Sequence, residues 1–143
     1  MHVAAILRRK GNSVITASAD DTVRSVVELL TRHRIGAVVV VGPNKSIEGI
    51  ISERDVVRCL AEGGPGVLDD RVSRLMTAEV ATCSPGDSVA DIMRLMTERR
   101  IRHVPVLDGG QMAGLVSIGD VVKERLDETE HEVEALRSYV AGT

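Results

Sequence analysis

The sequence predicts an α+β fold: two β-α-β-β-α units packed sheet against sheet about a pseudo-twofold axis, with a helix closing the chain. Three observations predict it. The stretch Gly49-Ile50-Ile51-Ser52-Glu53-Arg54-Asp55 returns as Gly114-Leu115-Val116-Ser117-Ile118-Gly119-Asp120. The segments before each copy repeat as well, so that Val14-Ile15-Thr16 and Asp21 are followed 66 positions later by Val80-Ala81-Thr82 and Asp87. Finally, half of a 143-residue chain is too small to cover its own apolar faces, so the two halves are expected to close on each other.

The elements follow in order. Residues from about Val3 to Lys10 read as a short helical lead-in stopped by Gly11-Asn12. Val14-Ile15-Thr16 is extended, and Asp21 is placed to cap the next helix. In that helix Val23, Val26, Val27 and Leu30 fall at i, i+3, i+4 and i+7 and make one apolar stripe. Ala37 to Val41 is a β-branched run suited to a strand buried on both faces. After the turn Gly42-Pro43-Asn44-Lys45, a strand over Ile47 to Ile51 leads to a helix that Ser52 caps and that reaches Leu60 or Ala61. The second half repeats this plan with Asp87 as the cap, the stripe Val89, Ile92, Met93 and Met96, and the turn Asp108-Gly109-Gly110. Gly63-Gly64-Pro65-Gly66 reads as the start of a linker. The expected divisions are therefore 1–62 for the first repeat with its lead-in, 63–75 for the linker, 76–126 for the second repeat and 127–143 for a tail. A charged helix from Glu124 to Tyr139 carries Leu126, Val133 and Leu136, with Val140 just after it, as scattered apolar contacts for a partner or for the body of the protein.

Composition narrows the function. With 43% hydrophobic and 27% charged residues the chain is globular. It has no Trp, no Phe and a single Tyr, so no aromatic platform exists to stack single-stranded bases. The formal net charge of -3 gives no general attraction to nucleic acid or to an anionic membrane, and no apolar run approaches the ~20 residues of a span. Cys59 and Cys83 form no C-x-x-C pair and read as ordinary thiols. A cytoplasmic location is expected. There is no Walker sequence, since Gly63-Gly64-Pro65-Gly66 lacks the Lys and Ser/Thr that follow in a phosphate loop. No G-x-G-x-x-G follows a strand, and no nucleophile has a base at argued spacing. His2, His33 and His131 show no metal-ligand spacing. No catalysis and no metal are expected.

The repeated stretch carries the chemistry. A carboxylate at Asp55 or Asp120 can accept hydrogen bonds from both hydroxyls of a ribose. A helix start at Ser52 or Ser117 offers amides and a positive dipole end to a phosphate, and apolar strand residues can sandwich an adenine. Ser-x-x-Asp is also a helix-capping pair, and duplication does not separate the two readings, since a copied fold copies its caps.

These two stretches, together with Ile101-Arg102-His103-Val104-Pro105-Val106, resemble the tandem cystathionine-β-synthase (CBS) domain pair, or Bateman module, over about Lys10 to Leu126. The resemblance implies a regulatory module that binds AMP, ADP, ATP, NAD, NADH or S-adenosylmethionine in clefts between the repeats, AMP first among them, and that forms disc-like homodimers. By that resemblance one cleft takes Ile50, Ser52, Arg54 and Asp55 with Ala81, Ile101, Arg102, His103 and Pro105. The other takes Leu115, Ser117, Gly119 and Asp120 with Ser13, Ile15, Ile35, Gly36 and Ala37. Arg54 and Arg102 make the first the expected phosphate site, and the second is neutral unless Lys10 reaches it. The resemblance implies a stand-alone module that acts on a regulated protein in trans. The alternative is an interaction or scaffold protein that binds no ligand and uses its C-terminal helix.

Overall fold

A computed structural model describes residues 1–142. In chain order the elements are α1 (Val3–Lys10), β1 (Thr16–Ala17), α2 (Val23–His33), β2 (Ala37–Val41), β3 (Ile47–Ser52), α3 (Glu53–Gly63), α4 (Val72–Leu75), α5 (Val89–Arg99), β4 (His103–Asp108), β5 (Gln111–Ser117) and α6 (Ile118–Gly142). Single 3-10 turns at Pro43–Lys45 and Pro65–Asp69 complete the loops. The fold is mixed α+β with two small sheets, and it groups into two compact bodies. The first holds residues Ser13–Ala81 and the turn segment Gly109–Met112; the second holds Met1–Asn12, Thr82–Asp108 and 113–142.

In the first body the sheet runs β1-β2-β3. The middle strand is parallel to β1 and antiparallel to β3, so that Val39 lies opposite both Thr16 and Ile50, and Ala37 lies opposite Ser52. Val38, Val39 and Val40 are fully buried, as a strand covered on both faces requires. Val23, Val26 and Leu30 of α2 pack here with Ile51, Val56, Val72 and Leu75. The tight turn of Gly109 (φ 60) and Gly110 (φ 81), a left-handed pair that L side chains disfavour, joins β4 to β5, and the second body carries β4 and most of the paired strand β5. Its core joins Val89, Ile92 and Met96 of α5 to Val104, Val106, Val116 and Val121, and also to Val3 and Ile6 of α1.

The position of α1 follows a rule that the repeat obeys. The Val3 amide donates to Asp87 O and the Val89 amide to Met1 O, while the Val72 amide donates to Asp21 O and the Val23 amide to Asp70 O. Asp87 follows Asp21 by 66 positions and Val72 follows Val3 by 69. Helix α1 therefore plays for the second repeat the part that α4 plays for the first. Each repeat's leading helix is packed in the body of the other repeat. The lead-in is contiguous with the first repeat in sequence and belongs to the second in space.

Several expectations are corrected by local chemistry. The strand expected at 14–16 lies at Thr16–Ala17, and its counterpart shrinks to one parallel bridge, Cys83 to Val106. The buried side chains are the small Ala17 and Cys83, not the β-branched residues that suggested a strand earlier. Asp21 and Asp87 do not cap helices. Each accepts the amide three residues before it, from Ser18 at 2.9 Å and Ser84 at 2.8 Å. The caps are the next residues, Thr22 and Ser88, whose hydroxyls accept the amides of Ser25 and Asp91. Between the repeats, Gly63 ends α3, and Val72 and Leu75 are buried core. The tail continues the helix that opens at Ile118, since α6 runs 25 residues without a break through the boundary at 126.

Candidate functional site

Both Ser-x-x-Asp stretches stand where a strand passes directly into a helix, β3 into α3 and β5 into α6. At the first, the Ser52 amide donates to Asp55 Oδ2 at 2.9 Å, the Ser52 hydroxyl donates to the same oxygen at 3.0 Å, and the Asp55 amide donates to Ser52 Oγ at 3.3 Å. This reciprocal capping box orients the side chain of Asp55, a residue that is 8% exposed. Its other oxygen, Oδ1, accepts from the guanidinium of Arg58, 3.2 Å away on the next turn. At the second, the Ser117 amide donates to Asp120 Oδ2 at 2.9 Å and the Asp120 amide donates to Ser117 Oγ at 3.2 Å. Here the cation comes from far along the chain. Lys10 Nζ, at the end of α1, donates to Asp120 Oδ2 and to Leu115 O, each at 2.7 Å.

The helix starts are less open than expected for a phosphate. The Glu53 amide is taken by Gly36 O at 2.9 Å and the Ile118 amide by Arg102 O at 2.8 Å. With the cap and third-position amides bound as above, three amides of each helix start are already paired. What the two junctions share is the placement of the acid. In both, Oδ2 is tied to the helix start and Oδ1 takes no part in the cap.

Electrostatics differ between the acids. Partial burial pushes the Asp120 carboxyl upward, but the hydrogen bond from Lys10, those from Ser117 and the charge of Lys10 outweigh it and hold the group below the ordinary aspartate range. The condition for this junction to be other than neutral is met: α1 brings Lys10 to it. In the same basic run at the end of α1, Arg9 pairs with the buried Glu124 and lies 3.5 Å from Asp127.

The glycines that open each stretch have a packing reason. A Cβ on Gly49 would lie 2.6 Å from Met76 Sδ and 2.9 Å from the backbone oxygen of Thr77; one on Gly114 would lie 2.5 Å from Leu7 Cδ2. Met76 and Leu7 stand in equivalent places after α4 and in α1, so the exchange of leading helices presses on both junctions.

The first body holds Ser13, Ile15, Ile35, Gly36, Ala37, Ile50, Ser52, Arg54, Asp55 and Ala81, and the second holds Ile101, Arg102, His103, Pro105, Leu115, Ser117, Gly119 and Asp120. Within the first, Ile15 O accepts the Val39 amide, Ile50 lies across β2 from it, and Ala37 pairs with Ser52. The sheet thus gathers these residues around Asp55, but Arg54 is exposed and the cation on Asp55 is Arg58. Ile35 and Gly36 also line a groove of about 450 Å³ with Leu30, Glu53, Val56 and Val57, on the α2–α3 side. Within the second, Arg102 contributes its carbonyl to the start of α6, Pro105 O accepts the Cys83 amide, and Pro105 is buried in β4. Arg58 escaped the reading because its only sequence signal, an acid three residues earlier on a helix, is common on solvated faces. Among the described residues no group of three or more His, Cys, Asp or Glu could hold a metal ion.

Known proteins match this architecture. The family model "CBS domain" fits residues 3–62 and again 72–127. The chain is 37% identical to the mitochondrial CBS domain-containing protein CBSX3 of Arabidopsis thaliana, over 98% of this chain and 72% of that one. Among solved structures it resembles the CBS-domain containing protein ATU1752 of Agrobacterium tumefaciens at 41% identity and a TM-score of 0.85, over 87% of this chain and 99% of that one. It also shares its fold with the CBS domain pair of protein MJ0100, solved in complex with 5-methylthioadenosine and S-adenosyl-L-methionine, at 23% identity and a TM-score of 0.79 over 90% of this chain and 98% of that one.

Proposed function

The chain belongs to the CBS-domain family, and on that footing we propose that it is a regulatory module that binds adenine nucleotides at its Ser-x-x-Asp junctions and signals without catalysing a reaction. The single observation that carries the reading is the shared placement of Asp55 and Asp120. Each is anchored through Oδ2 to the start of its helix, so capping consumes one carboxylate oxygen and Oδ1 stays available to the two hydroxyls of a ribose. Capping and sugar binding are then successive uses of one side chain, and Arg58, whose own side chain is 58% exposed, can turn out to solvent when a ligand takes Oδ1 of Asp55. The adenosine ligands held by the MJ0100 pair support the same ligand class here.

AMP is the first ligand to test, followed by ADP, ATP, NAD, NADH and S-adenosylmethionine. Self-association, a regulated protein in trans and a cytoplasmic location complete the proposal. Val57 and Val122, 65% and 43% exposed at corresponding places on α3 and α6, support self-association. The mechanism is linkage: a ligand shifts the equilibrium between arrangements only by its difference in affinity for them. A thermal-shift screen tests the reading, since ligand at about 100 times its Kd adds about 2.7 kcal/mol of stability. No shift with any of the six removes it.

A further inference from the structure

The last part of α6 has more helix than its own body can use. Up to Glu128 it is tied down: Val121 is fully buried, Glu124 is 5% exposed and pairs with Arg9, and the terminal amine of Met1 lies 3.1 Å from Glu128. From Thr129 to the end of the described helix every residue is exposed. An isolated helical segment of that length is marginal in water, and this one displays Val133, Leu136 and Val140 at 44%, 63% and 73% exposure.

These residues are not scattered. Val122, Leu126, Thr129, Val133, Leu136 and Val140 alternate spacings of four and three, the seam of a two-stranded coiled coil. The seam is on a different side of α6 from Val121, Glu124 and Glu128, which face the protein's own body, so it is free to receive a second helix. Arg125 and Glu132 flank it on one side, and Glu130 and Arg137 on the other.

That flanking pattern selects the occupant. In a parallel, in-register pair each residue on the first flank faces the residue five positions later on the other helix's second flank. Arg125 then meets the partner's Glu130, and Glu132 meets the partner's Arg137, opposite signs in both cases. In an antiparallel pair with the same apolar overlap, Glu130 meets the partner's Glu130, Glu132 meets the partner's Glu132, and Lys123 meets the partner's Arg137, all of like sign. We infer that the exposed seam of α6 binds the same seam of a second copy of this chain, as a short parallel coiled coil. The inference is independent of ligand binding.

The test uses the full chain in a Cys59→Ser, Cys83→Ala background whose fold is checked by circular dichroism. Leu136→Cys, and separately Leu126→Cys, should each form a disulfide-linked dimer on mild oxidation, because a parallel register brings like positions together. Adding Glu132→Arg should slow cross-linking of Leu136→Cys about tenfold, since two symmetry-related pairs change from attraction to repulsion. Adding Arg137→Glu as well should restore it. The inference is overturned if neither position cross-links, as when a different protein covers the seam. It is equally overturned if Leu126→Cys joins only to Leu136→Cys in a mixture, the antiparallel result, or if cross-linking ignores both charge reversals.

Discussion

Lys10 Nζ lies 2.7 Å from Asp120 Oδ2 across 110 positions of sequence, and the pair fastens the end of α1 to the start of α6. The Asp120 carboxyl is held below its ordinary range in the fold, so it binds its proton less readily there than in the unfolded chain. Its contribution to stability is therefore fully present above the unfolded aspartate value of about 3.9 and is lost as pH falls through the lower, folded value. Unfolding of the wild type and of Asp120→Asn should differ by a constant amount from pH 7 to about pH 5 and converge below about pH 4. A difference that does not change with pH would show that Lys10 does not hold the acid down.

Calorimetric titration of AMP should show a loss of about tenfold for Asp55→Asn, the scale of a charged hydrogen bond. A smaller loss is expected for Asp120→Asn. Removing that acid also releases Lys10, whose ammonium can then follow the ligand's phosphate. Unchanged affinity in both variants would remove the carboxylates from the binding site. Equal losses would remove the difference between the two junctions.

Gly49→Ala should be more costly than Gly114→Ala. The added methyl at Gly49 meets the backbone oxygen of Thr77 as well as Met76, whereas at Gly114 it meets only the end of the Leu7 side chain. Denaturant unfolding should give about 1–3 kcal/mol for the first, typical of overpacking, and less for the second.

Ile6→Ala should destabilise the chain by about 2–5 kcal/mol, the range for emptying a buried aliphatic site. Ile6 is fully buried. A loss of a few tenths would mean that α1 is the loose lead-in its sequence suggests.

Cys83 should resist alkylation near neutral pH in the native state, while Cys59, half-buried on α3, reacts sooner. Burial, aided by the charge of Asp87, pushes the Cys83 thiol up to about 12, so almost no thiolate is present. Rapid native labelling of Cys83 by a thiol reagent would contradict this.

The repeat, the α2 and α5 stripes and the buried β2 run were legible because each writes a period or a composition into contiguous residues. The Asp55 and Asp120 junctions were legible for the same reason. What escaped depended on partners remote in sequence. Nothing local in Val3-Ala4-Ala5-Ile6 says that its hydrogen bonds go to Pro85 and Asp87, and the glycine-rich start of 63–75 hid Val72 and Leu75 behind the composition of a linker. The caps were missed by one residue, because Asp21 and Asp87 are good cap types whose carboxylates are already bound to the preceding turn. Lys10 could be named only as a condition, since its charge is visible in the sequence and its reach is not.

The trading of leading helices means that neither repeat, cut out at its own borders, carries all of its own interior. A fragment of residues 3–62 would bring α1 without Val104 or Val116 to shelter it and would leave α2 without Val72 and Leu75. Each half therefore depends on the other for helix cover, and the two are expected to fold together or not at all.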